Sequence, residues 1–177
     1  MSNDLPSFRY HPDPISTGAI VESDSACQCC GQVRGFTYTG SIYSVEDLDD
    51  ICPWCIANGD AAAKFDASFV DDYPLVAAGI PEHVVEEVAH RTPGYVSWQQ
   101  ESWLMHCGDA CEYHGDASKE DVRNVSESTK AAWMAEYNLD EEAWSQITDG
   151  YEPGGDPAIY KFICRHCRQV LLGWDCS

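Results

Sequence analysis

Basic residues are scarce in this chain. Ten Lys plus Arg stand against 30 Asp plus Glu in 177 residues, a formal charge of −20 with the six histidines neutral. Phosphate contact needs clustered Lys and Arg, so the shortage excludes DNA, RNA or an anionic membrane surface as the main partner. Long apolar runs are missing too, with nothing near the ~18–20 residues that a bilayer crossing requires. The opening Met1-Ser2-Asn3-Asp4-Leu5-Pro6 has no basic n-region and no apolar h-region, so no export signal is visible and a soluble, cytoplasmic protein is expected. Several catalytic motifs are also absent: no P-loop, no G-x-G-x-x-G after a strand, no H-E-x-x-H and no H-x-E.

Cysteine and acid are plentiful. With 44% hydrophobic and 11% aromatic residues the chain has a core to bury, which excludes wholesale disorder. Its length fits one domain or two small ones. Ten cysteines without an export signal read as metal ligands before disulfide partners.

Cys27-Gln28-Cys29-Cys30-Gly31 and Cys52-Pro53-Trp54-Cys55 each offer a C-x2-C turn, which brings two sulfurs to one ion with little loop entropy to lose. The spacing predicts a four-cysteine zinc site of Cys27, Cys30, Cys52 and Cys55, with Gly31 suited to the positive φ of a zinc knuckle. A second site is expected from Cys107 and Cys111 together with Cys164 and Cys167, giving two Zn²⁺ per chain. His106, His114 or His166 can each replace a sulfur, Cys29 can substitute for a neighbour, and Cys176 reads as an idle thiol. Two complete ligand sets leave no open position for water, so structural zinc is favoured over catalytic zinc. The C-x-x-C at 52–55 lacks the βαβ context of a thioredoxin-like redox motif.

Periodicity and breaker residues indicate an α+β chain of zinc-knuckle and zinc-ribbon-like β elements with several short helices. Expected are an extended N-terminal segment over 1–26 with an edge strand at 8–10, and a hairpin of 37–38 with 42–43. Helices are expected to start at Ser44 and to cover 58–65, 81–90, 118–137 and 140–147, with a loop at 150–157. Strands are expected at 98–104, 158–163 and 169–174. The cysteines divide the chain into 1–94 and 95–177, the latter a ribbon-like module with a helical insertion at 118–149, or leave it as one compact unit. Trp98, Trp103, Tyr113, Trp133, Trp144 and Trp174 read mainly as core, although the polar stretch from Trp98 to Trp103 is also a site candidate.

The acids cluster, most densely at Glu46, Asp47, Asp49 and Asp50. Any one cluster is ordinary solvated surface. Together they form a negative field that attracts a basic protein. Two zinc-tetrathiolate centres would take the folded charge to about −24.

Phe8-Arg9-Tyr10-His11-Pro12-Asp13-Pro14, the Cys27 knuckle, Ile51-Cys52-Pro53-Trp54-Cys55-Ile56-Ala57-Asn58-Gly59, Arg91-Thr92-Pro93-Gly94-Tyr95, and Trp98-Gln99-Gln100-Glu101 through Trp103, His106 and Cys107 resemble the CbrC family of bacterial proteins. That family is linked to tolerance of a nuclease-type colicin. The family has no established enzymatic activity to carry over, so no enzyme is expected, and the resemblance suggests an immunity protein. Such a protein would bind a basic nuclease toxin and block its DNA-binding cleft, with Glu46, Asp47, Asp49, Asp50, Trp98 and Trp103 as contacts. The alternatives are a zinc-dependent hydrolase with an open metal site at His106 or His114, and a stress-response scaffold that binds no toxin.

Overall fold

The computed structural model describes residues 5–177; the first four residues of the expected N-terminal segment lie outside them. β1 (Ile20–Ala26) pairs antiparallel with β2 (Val33–Tyr38), and the Cys27 knuckle forms the loop between them. Short helices follow: α1 (Pro53–Ala57), α2 (Asp60–Phe65), α3 (Tyr73–Ala77) and α4 (Glu82–Arg91). A minimal hairpin, β3 (Met105–His106) with β4 (Asp109–Ala110), leads into β5 (Glu112–Asp116). Three helices intervene, α5 (Lys119–Arg123), α6 (Glu127–Glu136) and α7 (Glu141–Thr148), before β6 (Ala158–Ile163) and β7 (Val170–Asp175) complete an antiparallel sheet ordered β5-β6-β7.

Both faces of that sheet are covered. Side chains alternate across a strand, so Ile159 and Leu172 face a cluster with Val122, Trp133, Trp144 and Tyr151, supplied by the helical insertion and the loop after it. Tyr160 and Phe162 point the other way, into a cluster with Trp103, Tyr113, Val84, Val88 and Tyr10. Here Tyr95 stacks on Tyr113, with ring centroids 4.3 Å apart and planes 13° from parallel. This cluster draws on residues from both sides of position 94. A third cluster, around Phe8, Ile20, Tyr38, Ile51, Ile56 and Phe69, encloses Cys27, Cys52 and Cys55.

Several sequence expectations need correcting. Residues 8–10 form no strand; Phe8 and Tyr10 are buried anchors, and the Tyr10 carbonyl accepts from the Tyr113 amide at 2.8 Å. Residues 37–38 end β2 and pair with β1 rather than with 42–43, while Tyr43 makes an isolated bridge to Ser68. No helix starts at Ser44, because its hydroxyl caps the Glu46 amide at 3.1 Å and donates to the Phe65 carbonyl at 3.1 Å, closing a local turn. Residues 98–104 are not a strand, since the chain there wraps Trp103 into the core and only 105–106 pair.

The helix expected over 118–137 breaks at Asn124, and Ser126 caps a new start by accepting from the Thr129 amide. Pro81 sits at the N-cap of α4 and starts it as the sequence indicates. No helix among the described residues is long and apolar enough to cross a membrane.

Candidate metal centres

The first centre is assembled from a hairpin loop and a helix start. In the knuckle, the Gly31 amide donates to the Cys27 carbonyl at 2.7 Å and the Cys27 amide to the Gln32 carbonyl at 3.0 Å. This folds Cys30 back beside Cys27, with Gly31 at φ 71°. Cys52 is the N-cap residue of α1, Pro53 follows it with its ring suited to the first turn, and Cys55 lies one turn in. The two halves are tied by backbone bonds: Gln28 donates to Asp50 at 2.8 Å, and Tyr38 to Ile51 at 2.9 Å. As a result the four Sγ atoms of Cys27, Cys30, Cys52 and Cys55 all lie within 4.8 Å of one another.

The second centre is built from two turns. Cys107 and Gly108, both at positive φ (55° and 73°), are the two central residues of the β3–β4 hairpin. Cys164 and Cys167 belong to a knuckle between β6 and β7, closed by the Arg168 amide to the Cys164 carbonyl (3.0 Å) and the Cys164 amide to the Gln169 carbonyl (2.9 Å). The fourth donor in the tetrad is His106, where the sequence points to Cys111: His106, Cys107, Cys164 and Cys167 place atoms that could hold a metal within 4.8 Å of one another. His106 Nδ1 lies 3.2 Å from Cys107 Sγ and 3.4 Å from Cys167 Sγ.

The expectation for Cys111 fails because the hairpin turns at 107–108. Position 111 then lies about 7 Å further along the chain than Asp109, opposite Leu104. Cys111 is fully buried beside Trp103, whose Nε1 donates to its carbonyl at 2.9 Å. Burial, then the nearby Cys164 and Asp109, push its thiol up to about 12.

Both tetrads suit a tetrahedral metal. With Zn–S near 2.3 Å the sulfur–sulfur edge of a tetrahedron is about 3.8 Å. Cys30 and Cys52 are 4.0 Å apart, and Cys107 and Cys167 are 3.9 Å apart. All ten cysteines are free of disulfides. The thiols also press on one another: burial raises Cys52 to about 11 and drives Cys55 up, with further upward contributions from the neighbouring cysteines. In the second knuckle burial acts upward on Cys164, but hydrogen bonds from the Cys167 and His166 amides and from the His106 and Cys167 side chains together lower it to about 6. A divalent cation holds such a set as thiolates and cancels their repulsion. The two centres differ in exposure, because three of four ligands are buried in the first while Cys107 and Cys167 are exposed in the second.

The remaining candidates fall outside the tetrads. Cys29 is half-buried against the apolar cluster of the first centre, and Cys176 is half-buried near the end of the chain. His114 meets Glu112 at 3.3 Å, and His166 meets Asp109 at 2.9 Å. Asp109 also accepts from the Tyr10 hydroxyl at 2.9 Å, so it links the second knuckle to the core. His106 was legible only as one of three histidines near the cysteines; its place next to Cys107 matters once 107–108 is known to be a turn.

Trp103 is fully buried, which removes it from any contact surface, whereas Trp98 is 61% exposed. Glu46, Asp47 and Asp49 are exposed and Asp50 half-buried. The segment that carries them is moored to the first knuckle, where Gln28 Oε1 accepts from the Asp49 amide at 2.8 Å and the Asp50 amide at 3.0 Å.

Residues 5–176 match a family described as "Uncharacterised protein family (UPF0167)". UPF0167 protein PA1536 of Pseudomonas aeruginosa is 50% identical over 177 residues, covering 99% of both chains. UPF0167 protein Mb2317 of Mycobacterium bovis and UPF0167 protein MT2352 of Mycobacterium tuberculosis are each 49% identical over 128 residues, 72% of this chain and 68% of theirs. No solved structure matches the chain significantly. With this coverage and identity, the chain belongs to the UPF0167 family.

Proposed function

We propose that this protein is a non-enzymatic, zinc-stabilised binding protein whose acidic surface engages a basic protein. Following the CbrC resemblance, we take that partner to be a nuclease toxin whose DNA-binding cleft is blocked. The observation that carries this reading is the mooring of the acidic segment. Four carboxylates in five residues, beside the fully exposed Val45, are held by Gln28 between Cys27 and Cys29. A metal at the first centre thereby orders a negative surface, so less of its conformational freedom is lost on binding. The net charge supports the same partner class: a tetrathiolate centre and a histidine–trithiolate centre take −20 to about −23.

Zinc fits both donor sets by ligand type and spacing. Four protein ligands at each centre fill a tetrahedron, which favours a structural role over a hydrolase with water on the metal.

The test is challenge with a nuclease-type colicin, together with inhibition of DNA cleavage by its purified nuclease domain. Expected are protection by the wild-type chain and its loss when Glu46, Asp47, Asp49 and Asp50 are changed together to Gln and Asn, with metal content retained. Absence of protection, or equal protection by the neutralised variant, would overturn the reading.

A further inference from the structure

We propose that a cleft bordered by no residue of either metal centre binds a guanidinium group, with Asp116 as counter-ion and the Trp98 indole as stacking face. The cleft has a volume of ≈ 510 Å³ and lies between the 96–98 segment, the end of β5, the 16–17 turn and the 154–155 loop. Its polar lining is hydroxyl and carboxylate, from Ser16, Thr17, Ser97, Tyr160 and Asp116, and it has no lysine or arginine. His114, also at the cleft, is engaged by Glu112.

Three features make this a built site. First, the pairing of β5 with β6 slips between Tyr113 and Asp116, with Gly115 at φ 85°. Bulges of this kind re-aim side chains and recur beside binding sites. Second, the wall bearing Trp98 is pinned from behind. Buried Asp175 accepts from the Ser97 hydroxyl (2.5 Å), the Trp98 amide (2.5 Å) and the Gln99 amide (3.2 Å), so the exposed indole stands on a fixed backbone. Third, no ion pair reaches Asp116 among the described residues, in a chain whose few cations are largely paired. Asp116 is exposed on the cleft wall, yet the protein packed around its carboxyl raises it, with a smaller opposing contribution from the Gly154 amide. A cation would relieve that penalty.

A planar guanidinium is weakly hydrated, stacks on an indole face and donates in pairs to a carboxylate, which matches this combination better than a compact ammonium does. An anion would meet the Asp116 carboxylate and find no lysine or arginine in the lining. The inference does not depend on the toxin reading, because the cleft can take a free guanidino compound or an arginine side chain presented by a protein.

Titration calorimetry of the metal-loaded chain with agmatine and with blocked Gly-Arg-Gly separates the two sources; tighter agmatine binding indicates a free small molecule, tighter peptide binding a presented arginine. Dissociation constants on the order of 1 mM are expected. Blocked Gly-citrulline-Gly, the neutral analogue, should fail to saturate. Asp116→Asn and Trp98→Ala should each weaken binding about tenfold while leaving metal content and circular dichroism unchanged. Absence of saturation by both cations, equal binding of the citrulline peptide, or unchanged affinity in both folded variants would overturn the inference.

Discussion

Arg168 occupies in the second knuckle the position that Gly31 occupies in the first. Each amide closes the turn onto the carbonyl of the leading cysteine, at 3.0 Å for Arg168 and 2.7 Å for Gly31, and each residue is left-handed, at φ 61° and 71°. A residue with a Cβ loses about 1–2 kcal/mol in that conformation. Arg168 recovers part of this through its guanidinium, which donates to Glu112 Oε2 at 3.0 Å across the sheet.

Arg168→Gly should therefore raise thermal stability or leave it unchanged, because relief of about 1–2 kcal/mol exceeds the ~0–1 kcal/mol of an exposed ion pair. Arg168→Ala keeps the strained backbone and loses the pair, so it should melt below wild type. Melting curves of the three metal-loaded proteins check the order. A glycine variant less stable than the alanine variant would mean that backbone strain is not what distinguishes the two knuckles.

Removal of ligands should count the centres. Metal analysis of purified protein is expected to give two ions per chain for wild type, and one each for Cys30→Ser and His106→Ala. Cys111→Ala should retain two ions while losing roughly 1–3 kcal/mol of stability as a small core truncation. A loss of metal in Cys111→Ala with retention in His106→Ala would restore the four-cysteine expectation for the second centre.

The difference in exposure predicts an order of release. A colorimetric chelator should take one equivalent quickly from the centre with Cys107 and Cys167 in solvent, and the second slowly from the centre whose Cys27, Cys52 and Cys55 are buried. His106→Ala should lose the fast phase and Cys30→Ser the slow one. Release of both ions in a single phase would contradict this.

His11 should make stability depend on pH. Its ring is fully buried, with Nδ1 2.8 Å from the Pro93 carbonyl and Nε2 2.7 Å from the Thr17 hydroxyl. Burial lowers it from 6.5 to about 4, against smaller upward contributions from Pro93 and Asp13. Below 6.5 the unfolded chain binds a proton that the folded chain refuses. Stability is therefore lost as pH falls from about 6.5 towards 4, by up to ~3 kcal/mol, and no further below that. The difference in stability between wild type and His11→Asn, measured by denaturant unfolding across this range, should shrink by that amount. A constant difference would show that His11 is not the group responsible.

Much of the first centre was legible in the sequence because its logic is local. Each C-x2-C turn closes over a few residues, and Gly31 and Pro53 mark the turn and the helix start that present the thiols. The strands at 158–163 and near 170–175 and the helix from Pro81 were legible too, since alternation and a proline at a helix start are short-range signals.

Tertiary structure decided what long-range packing controls. Cys111 carries the same thiol as Cys107, and only the position of the hairpin turn sends one to the centre and the other into the core, leaving the ligand role to His106. Trp98 and Trp103 read alike in sequence, yet the turn of chain between them buries Trp103 and leaves Trp98 in solvent. Cysteine spacing determined that thiols would be presented in pairs, and the excess of Asp and Glu that the surface would be acidic. Which side chains complete the second centre, and which aromatic faces a cleft, depended on contacts between residues distant in the chain, about which local spacing carries no information.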